Sequence, residues 1–87
     1  MSASPHEVFA DPRRLLSHLL AEVVAARARE EAQRRQRGGH AEALYAARLN
    51  TLGALVDYAG AIESLSWPVP RGIQQEIRLH QALVRRP

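Results

Sequence analysis

Cysteine is absent from this chain of 87 residues, so neither a disulfide nor a thiolate metal site can stabilise the fold. A chain of this length buries only about 60 to 65 % of its unfolded surface on folding, which leaves a marginal hydrophobic core. Domains this small usually gain stability from a cross-link, a bound metal or association. We therefore expect this chain to associate with a partner or with a second copy of itself.

Long hydrophobic runs are also missing. No segment approaches 18 consecutive apolar residues, and the first residues lack the charged region and apolar run of a secretory signal. These absences exclude a membrane-spanning helix and predict a soluble cytoplasmic protein with no membrane partner.

Lysine is the third absence, because all twelve basic side chains are arginine. Two explanations remain open: GC-rich codons in the genome, or selection for the planar guanidinium group that suits phosphates and interfaces. The net positive charge is also concentrated in one segment. Five arginines and two glutamates between positions 27 and 37 carry a net +3, which equals the net charge of the whole chain.

Three amphipathic patterns predict three helices. The first spans about 12–37, because Asp11 can accept a hydrogen bond from the free amides of the first turn, Pro12 suits the first helical position, and Gly38-Gly39 favours a helix end. The second spans about 41–65 and ends before the Trp-Pro-Val-Pro sequence of residues 67–70, where two prolines lack amide donors. The third spans about 71–85.

The predicted fold class is all-α, with a long antiparallel helical hairpin and a shorter third helix forming a three-helix bundle. Residues 1–10 are predicted to be a flexible lead-in, with Val8 and Phe9 packed against the first helix, and residues 11–87 a single helical domain. The short glycine connection forces the first two helices to run antiparallel.

Folding the chain about residue 39 predicts which residues meet across the hairpin. Leu15 should lie near Ile62, Leu19 near Ala59, Val23 near Leu55, Ala26 near Leu52, and Glu30 near Arg48. The second helix presents a broad apolar face that includes Tyr45. We expect the third helix to cover the leucine-rich half of the hairpin. Trp67 should fill the base of the hairpin, or else dock a peptide if it is exposed.

Small side chains recur at heptad spacing on the backs of both long helices. They allow another helix to approach closely, and glycine inside a helix costs up to about 1 kcal/mol relative to alanine. This pattern predicts that the bundle forms a homodimer, and thus a larger helical bundle, although an alanine-rich genome could also scatter small residues on solvated faces. The residues predicted for self-association are Ala25, Ala28, Ala32, Asn50, Gly53, Asp57 and Gly60.

Catalytic signals are weak, and we predict no enzymatic activity, cofactor or metal. No serine or threonine has a convincing base nearby. The pairs His18 with Glu22 and Glu76 with His80 have a spacing that could bind a metal from one helix face. Because His18 lies off the apolar face, a solvated pair is the better interpretation. His80 lies within the apolar face of the third helix, which favours a core or interface histidine with one hydrogen bond.

The arginine-rich half of the first helix is the stretch best suited to a charged ligand. Arg27, Arg34, Arg35 and Arg37 are the predicted contacts to an acidic or phosphorylated protein partner, or to nucleic acid. Glu30 and Glu31 would repel phosphates, and no interleaved aromatic residues offer base stacking. The glutamates could instead form charge pairs, Glu30 with Arg34 among them.

These observations favour a small non-enzymatic helical interaction module, such as a bacterial-type regulator, adaptor or assembly subunit, that acts as a homodimer through protein–protein contacts. An accessory nucleic-acid-binding protein that uses the same arginines is the alternative. A metal enzyme assembled from histidines and carboxylates of two subunits ranks third.

Overall fold

The computed structural model describes residues 11–85, and these residues form three helices and no strand. Helix α1 spans Pro12–Arg35, α2 spans Ala41–Ser64 and α3 spans Arg71–Arg85. Helix α2 packs against both α1 and α3. The all-α three-helix prediction is confirmed, while the predicted lead-in with Val8 and Phe9 lies outside the described residues.

The start of α1 follows the predicted chemistry. The Asp11 side chain accepts a hydrogen bond of 3.0 Å from the Arg13 amide, and Pro12 is the first helical residue. The end differs slightly, since α1 ends at Arg35 and not at Arg37. Gln36 already has extended backbone angles, and Gly38 follows with a φ of 71°.

The end of α2 is set by hydrogen bonds that precede the two prolines. The amide of Ser66 donates to the Glu63 carbonyl and the amide of Trp67 donates to the Ile62 carbonyl. Ser66 has a φ of 59°, so these bonds form a Schellman motif with serine at the position that glycine usually occupies. The prolines at 68 and 70 therefore follow a helix that has already ended.

Residues that the sequence predicted to meet across the hairpin form its core. Leu15, Val23 and Ala26 of α1 are buried, as are Leu55 and Ile62 of α2. A fully buried threonine, Thr51, meets Ala26, which the sequence had paired with the neighbouring Leu52. The Thr51 hydroxyl lies 3.3 Å from the Ala26 carbonyl oxygen across the hairpin and 3.0 Å from the Ala47 carbonyl oxygen in its own helix.

Helix α3 lies closer to the Gly38-Gly39 end of the hairpin than the sequence predicted. Arg27 pairs with Glu76 and Glu30 pairs with His80, so α3 runs parallel to α1 and contacts its charged half. The expectation that α3 covers the leucine-rich half is wrong. Six residues, 65–70, connect α2 to α3 and carry the chain away from the base of the hairpin before α3 begins.

Two aromatic side chains are more exposed than predicted. Trp67 is 53 % exposed, so it does not fill the base of the hairpin, and Tyr45 is 45 % exposed. The apolar face of α2 is broader than the surface that α1 and α3 can cover, which leaves part of that face in contact with solvent.

Candidate interaction surfaces

One long side of α2 carries large apolar residues that no other element of residues 11–85 covers. Tyr45, Leu49 and Val56 are 45 %, 43 % and 46 % exposed, respectively. Their spacing of four and seven residues places them on one side of the helix. Exposed hydrophobic residues that form a row, and are not scattered singly, are typical of an interaction site.

Small residues interrupt this apolar row. Gly53, Gly60 and Ser64 lie on the same side of α2 and are exposed. A Cβ atom added at either glycine would meet no atom of the described chain within 4 Å. The Ser64 hydroxyl donates to the Ala61 carbonyl at 2.7 Å, so its hydrogen-bonding group is already satisfied. We call the six residues Tyr45, Leu49, Gly53, Val56, Gly60 and Ser64 the outer face of α2.

Two shallow grooves run along the edge between α1 and this face. Leu15 and Leu19 line one groove together with Val56 and Gly60. Leu19 also lines the second groove, together with Leu49 and other residues. Helix α3 lies on the opposite side of the hairpin, because its contacts reach α1 through Arg27, Glu30 and the residues around them. The outer face of α2 is therefore open to an approaching helix.

The predicted self-association residues do not form a single surface. Asn50, Gly53, Asp57 and Gly60 are exposed on the outside of α2, whereas Ala28 and Ala32 are exposed on the outside of α1 and Ala25 is half-buried. The two helices pack against each other through their buried faces, so their outer sides point in opposite directions. One two-fold interface cannot contain both groups.

The periodicity of the sequence places Tyr45, Leu49 and Val56 on the broad apolar face of the second helix, and it did not predict that they would be exposed together. The width of the apolar face was the available signal. A helix that packs against one neighbour needs an apolar stripe about 100° wide, and apolar residues outside that stripe have to find another partner.

On the opposite side of the hairpin, two polar pairs join α1 to α3. The Arg27 guanidinium donates from Nε to a carboxylate oxygen of Glu76 at 2.8 Å and from Nη2 to the other oxygen. The hydrogen bond with Glu76 raises the pKa of Arg27, burial opposes the rise, and the Glu76 charge adds to it. Arg27 is therefore engaged within the chain.

The second pair involves a buried histidine. His80 is only 5 % exposed, and its Nδ1 lies 3.0 Å from the Glu76 carbonyl oxygen while its Nε2 lies 2.8 Å from a Glu30 carboxylate oxygen. A carbonyl oxygen can only accept, so Nδ1 carries the donated hydrogen. The second nitrogen faces a carboxylate, so this hydrogen bond needs a proton on either His80 Nε2 or Glu30. The predicted core histidine is confirmed, with two hydrogen bonds in place of one.

Arg48 lies beside this pair. The sequence predicted that Arg48 would meet Glu30 across the hairpin, and both residues do line one pocket with His80. However, the Glu30 carboxylate bonds to His80, and the Arg48 Nε is buried without a hydrogen-bond partner among the described residues. The predicted pair of Glu30 with Arg34 is also absent, since Glu31 takes that role.

The remaining predicted arginines lie at the far end of α1. Arg34 and Arg35 both contact the Glu31 carboxylate, at 3.2 Å and 3.0 Å. Their side chains are 60 % and 79 % exposed, and Arg37 is exposed beyond the helix end. Residues 31–37 contain three arginines and one carboxylate, which concentrates a net +2 at this end of the molecule.

The candidate metal pairs do not converge on a metal site. His18 Nε2 lies 4.0 Å from a Glu22 carboxylate oxygen, whereas the Glu76 carboxylate is bound by Arg27 and does not face the His80 ring nitrogens. Within residues 11–85 no three His, Cys, Asp or Glu residues are grouped to hold a metal ion. None of the described helices combines the length and apolarity that crossing a membrane requires.

Comparison of the chain with protein-family models, curated protein sequences and solved structures gives no match.

Proposed function

We propose that this protein is a non-enzymatic helical interaction module that self-associates through the outer face of α2 and presents its arginine-rich end to an acidic protein partner. The observation that carries the proposal is the row of Tyr45, Leu49 and Val56, each more than 40 % exposed, beside glycines that open onto free space. Removing apolar surface of this kind from water is favourable, by about 25 cal/mol per Å².

A second copy is the partner that this face suits best. The chain is small and lacks cysteine, and association supplies the burial that a single copy of this size lacks. Closed two-fold dimers are the commonest assemblies of soluble homo-oligomers. Interior glycines reduce helix stability by up to about 1 kcal/mol each relative to alanine, and close approach of another helix gives them a structural role.

The arginine-rich end is a separate surface. Arg27 is paired with Glu76, whereas Arg34 and Arg35 share one carboxylate and Arg37 is exposed beyond the helix, so these three arginines carry the surplus positive charge. Arginine binds carboxylates through two parallel hydrogen bonds, which favours an acidic partner for this surface. A module with a self-association face and a separate basic end can hold two copies of a partner together.

The proposal is tested by sedimentation of Gly53→Leu. We expect wild-type protein to sediment as a dimer and Gly53→Leu as a folded monomer. An added Cβ atom at this position meets no atom of the described residues within 4 Å, whereas a leucine side chain there would separate two packed helices. Gly72→Leu is the matched control. Gly72 lies in α3 and its added Cβ also meets open space, so this variant should remain a dimer.

Circular dichroism should show at least wild-type helix content in both variants, since leucine is a better helix former than glycine. A wild-type protein that is monomeric at all accessible concentrations would contradict self-association. A Gly53→Leu protein that remains dimeric would show that another face is used.

A further inference from the structure

The outer face of α2 is complementary to itself in one antiparallel register. Its three large residues, Tyr45, Leu49 and Val56, and its three small residues, Gly53, Gly60 and Ser64, all lie exposed on one side of the helix. When a second copy of α2 is laid antiparallel with position 49 opposite position 60, the large and small residues face each other. Tyr45 then faces Ser64 of the second copy, Leu49 faces Gly60 and Val56 faces Gly53.

We propose that the chain forms a two-fold dimer in which α2 packs antiparallel against α2 of a second copy in this register, with the axis level with Ala54 and Leu55. This inference rests on the proposed function, because it specifies the geometry of the self-association proposed above. Each large side chain fills the space that a small residue of the other copy leaves, as close helix packing requires.

Repulsion between carboxylates favours this register over one displaced by four residues. The proposed register sets Glu63 opposite Ala46 and Asp57 opposite Leu52, so no two carboxylates meet. A register displaced by four residues, with position 49 opposite position 56, instead sets Glu42 opposite Glu63 and two large residues, Leu49 and Val56, against each other. Like charges that face each other at an interface weaken association.

A parallel arrangement is also less favourable. It would place each residue near its own copy across the two-fold axis, so that Tyr45 would meet Tyr45 and the glycines would leave gaps. Empty space at a packed interface forfeits contacts that the large residues could make. The large residues lie mostly toward the start of this face and the small residues toward its end, which favours the antiparallel dimer.

The sharpest test is a swap of large and small residues across the interface. Gly60→Leu alone should abolish the dimer in sedimentation, because two leucines would then compete for one space. The double variant Leu49→Ala with Gly60→Leu restores a small residue opposite a large one and should regain the dimer. Leu49→Ala alone should weaken the dimer but not change the helix content.

Cross-linking reads the register directly, because the natural chain contains no cysteine. A mixture of Leu49→Cys and Gly60→Cys proteins should form a disulfide-linked dimer under mild oxidation, since the two Cα atoms of opposed residues approach within the range of about 4.4 to 6.8 Å that a disulfide requires. Each cysteine variant alone is the matched control and should remain uncross-linked, because in this register the two copies of position 49, or of position 60, lie eleven residues apart along the helices, about 16 Å.

The outcomes distinguish this geometry from the proposed function. Monomeric wild-type protein would overturn both. If wild-type protein is a dimer but either cysteine variant cross-links alone, or the double variant Leu49→Ala with Gly60→Leu stays monomeric, the register is overturned while self-association stands. Cross-linking through positions 49 and 60 together with restoration by the double variant supports the geometry.

Discussion

At the scale of single residues, Glu30 bonds to a buried ring nitrogen of His80 and not to the exposed arginine that the sequence predicted. The sequence placed Glu30 among exposed arginines, where a surface ion pair contributes about 0 to 1 kcal/mol. In the structure Glu30 instead satisfies Nε2 of the buried His80, and Glu31 takes the exposed Arg34 and Arg35. A buried polar atom left without a partner costs about 1 to 3 kcal/mol, which outweighs the exposed pair.

This balance predicts different effects for two substitutions of Glu30. Glu30→Ala should lower the free energy of unfolding by about 1 to 3 kcal/mol, because it leaves the buried Nε2 of His80 without a partner. Glu30→Gln should lower it less, because the carboxamide can donate to Nε2 of a neutral imidazole. Urea denaturation of the two variants measures the difference. Equal losses would show that His80 does not need a partner at this nitrogen.

At the scale of helices, neighbouring residues of α2 have opposite roles. Leu55 is fully buried against the hairpin core, whereas Val56 is 46 % exposed on the outer face. One residue rotates the side chain by about 100° around the helix axis, which is enough to move it from the core to the surface.

The pair Leu55→Ala and Val56→Ala separates folding from association. Leu55→Ala should lower the free energy of unfolding by about 2 to 5 kcal/mol, as truncations in a packed core do. Val56→Ala should leave the unfolding of the monomer nearly unchanged and shift the dimer toward monomer. Thermal unfolding in the Gly53→Leu background and sedimentation of each single variant measure the two effects. A large loss of monomer stability in Val56→Ala would contradict the assignment of this face.

The helices also show how far the sequence could predict the structure. The Asp11 cap and the start of α1 depend on local hydrogen bonds, and the structure has them where the sequence predicted. Periodicity also identified the buried side of the hairpin, although it paired Ala26 with Leu52, whereas Thr51 bonds to the Ala26 carbonyl. The position of α3 depends on the path of residues 65–70, which periodicity does not report. Apolar periodicity could not separate Leu55 from Tyr45 either, since both lie on the broad face and only the arrangement of the helices decides which is covered.

At the scale of the whole molecule, positive charge and exposed apolar surface lie in different places. The outer face of α2 follows the length of one helix, whereas Arg34, Arg35 and Arg37 lie at the end of α1 and just beyond it. Self-association through α2 would therefore leave the arginine-rich end of each copy accessible. The sequence could predict the charge cluster itself, but not that Arg27 is engaged with Glu76 on α3.

The arginine-rich end predicts salt-dependent binding of an acidic chain. We expect a polyglutamate peptide to bind wild-type protein at low salt, and Arg34→Ala with Arg35→Ala to weaken this binding. Arg13→Ala with Arg14→Ala is the matched control, because it removes two exposed arginines from the other end of the same helix. Fluorescence anisotropy across a salt series measures both.

The same salt series also tests the alternative that the arginine-rich end binds nucleic acid. If duplex DNA binds and Arg34→Ala with Arg35→Ala lowers the slope of log K against log salt by about two units, the arginines serve as phosphate contacts. An absence of polyglutamate binding, or equal weakening by both arginine pairs, would contradict an acidic-partner site at this end.

The route of the chain between α2 and α3 depends on the backbone conformation of Ser66. Ser66 adopts a left-handed conformation that most residues disfavour by about 1 to 2 kcal/mol. Glycine would adopt the same turn without that penalty, whereas a β-branched residue would favour extended backbone and send the chain along another path. The docking of α3 against the hairpin is thus sensitive to mutation at a position that belongs to neither the core nor the polar pairs.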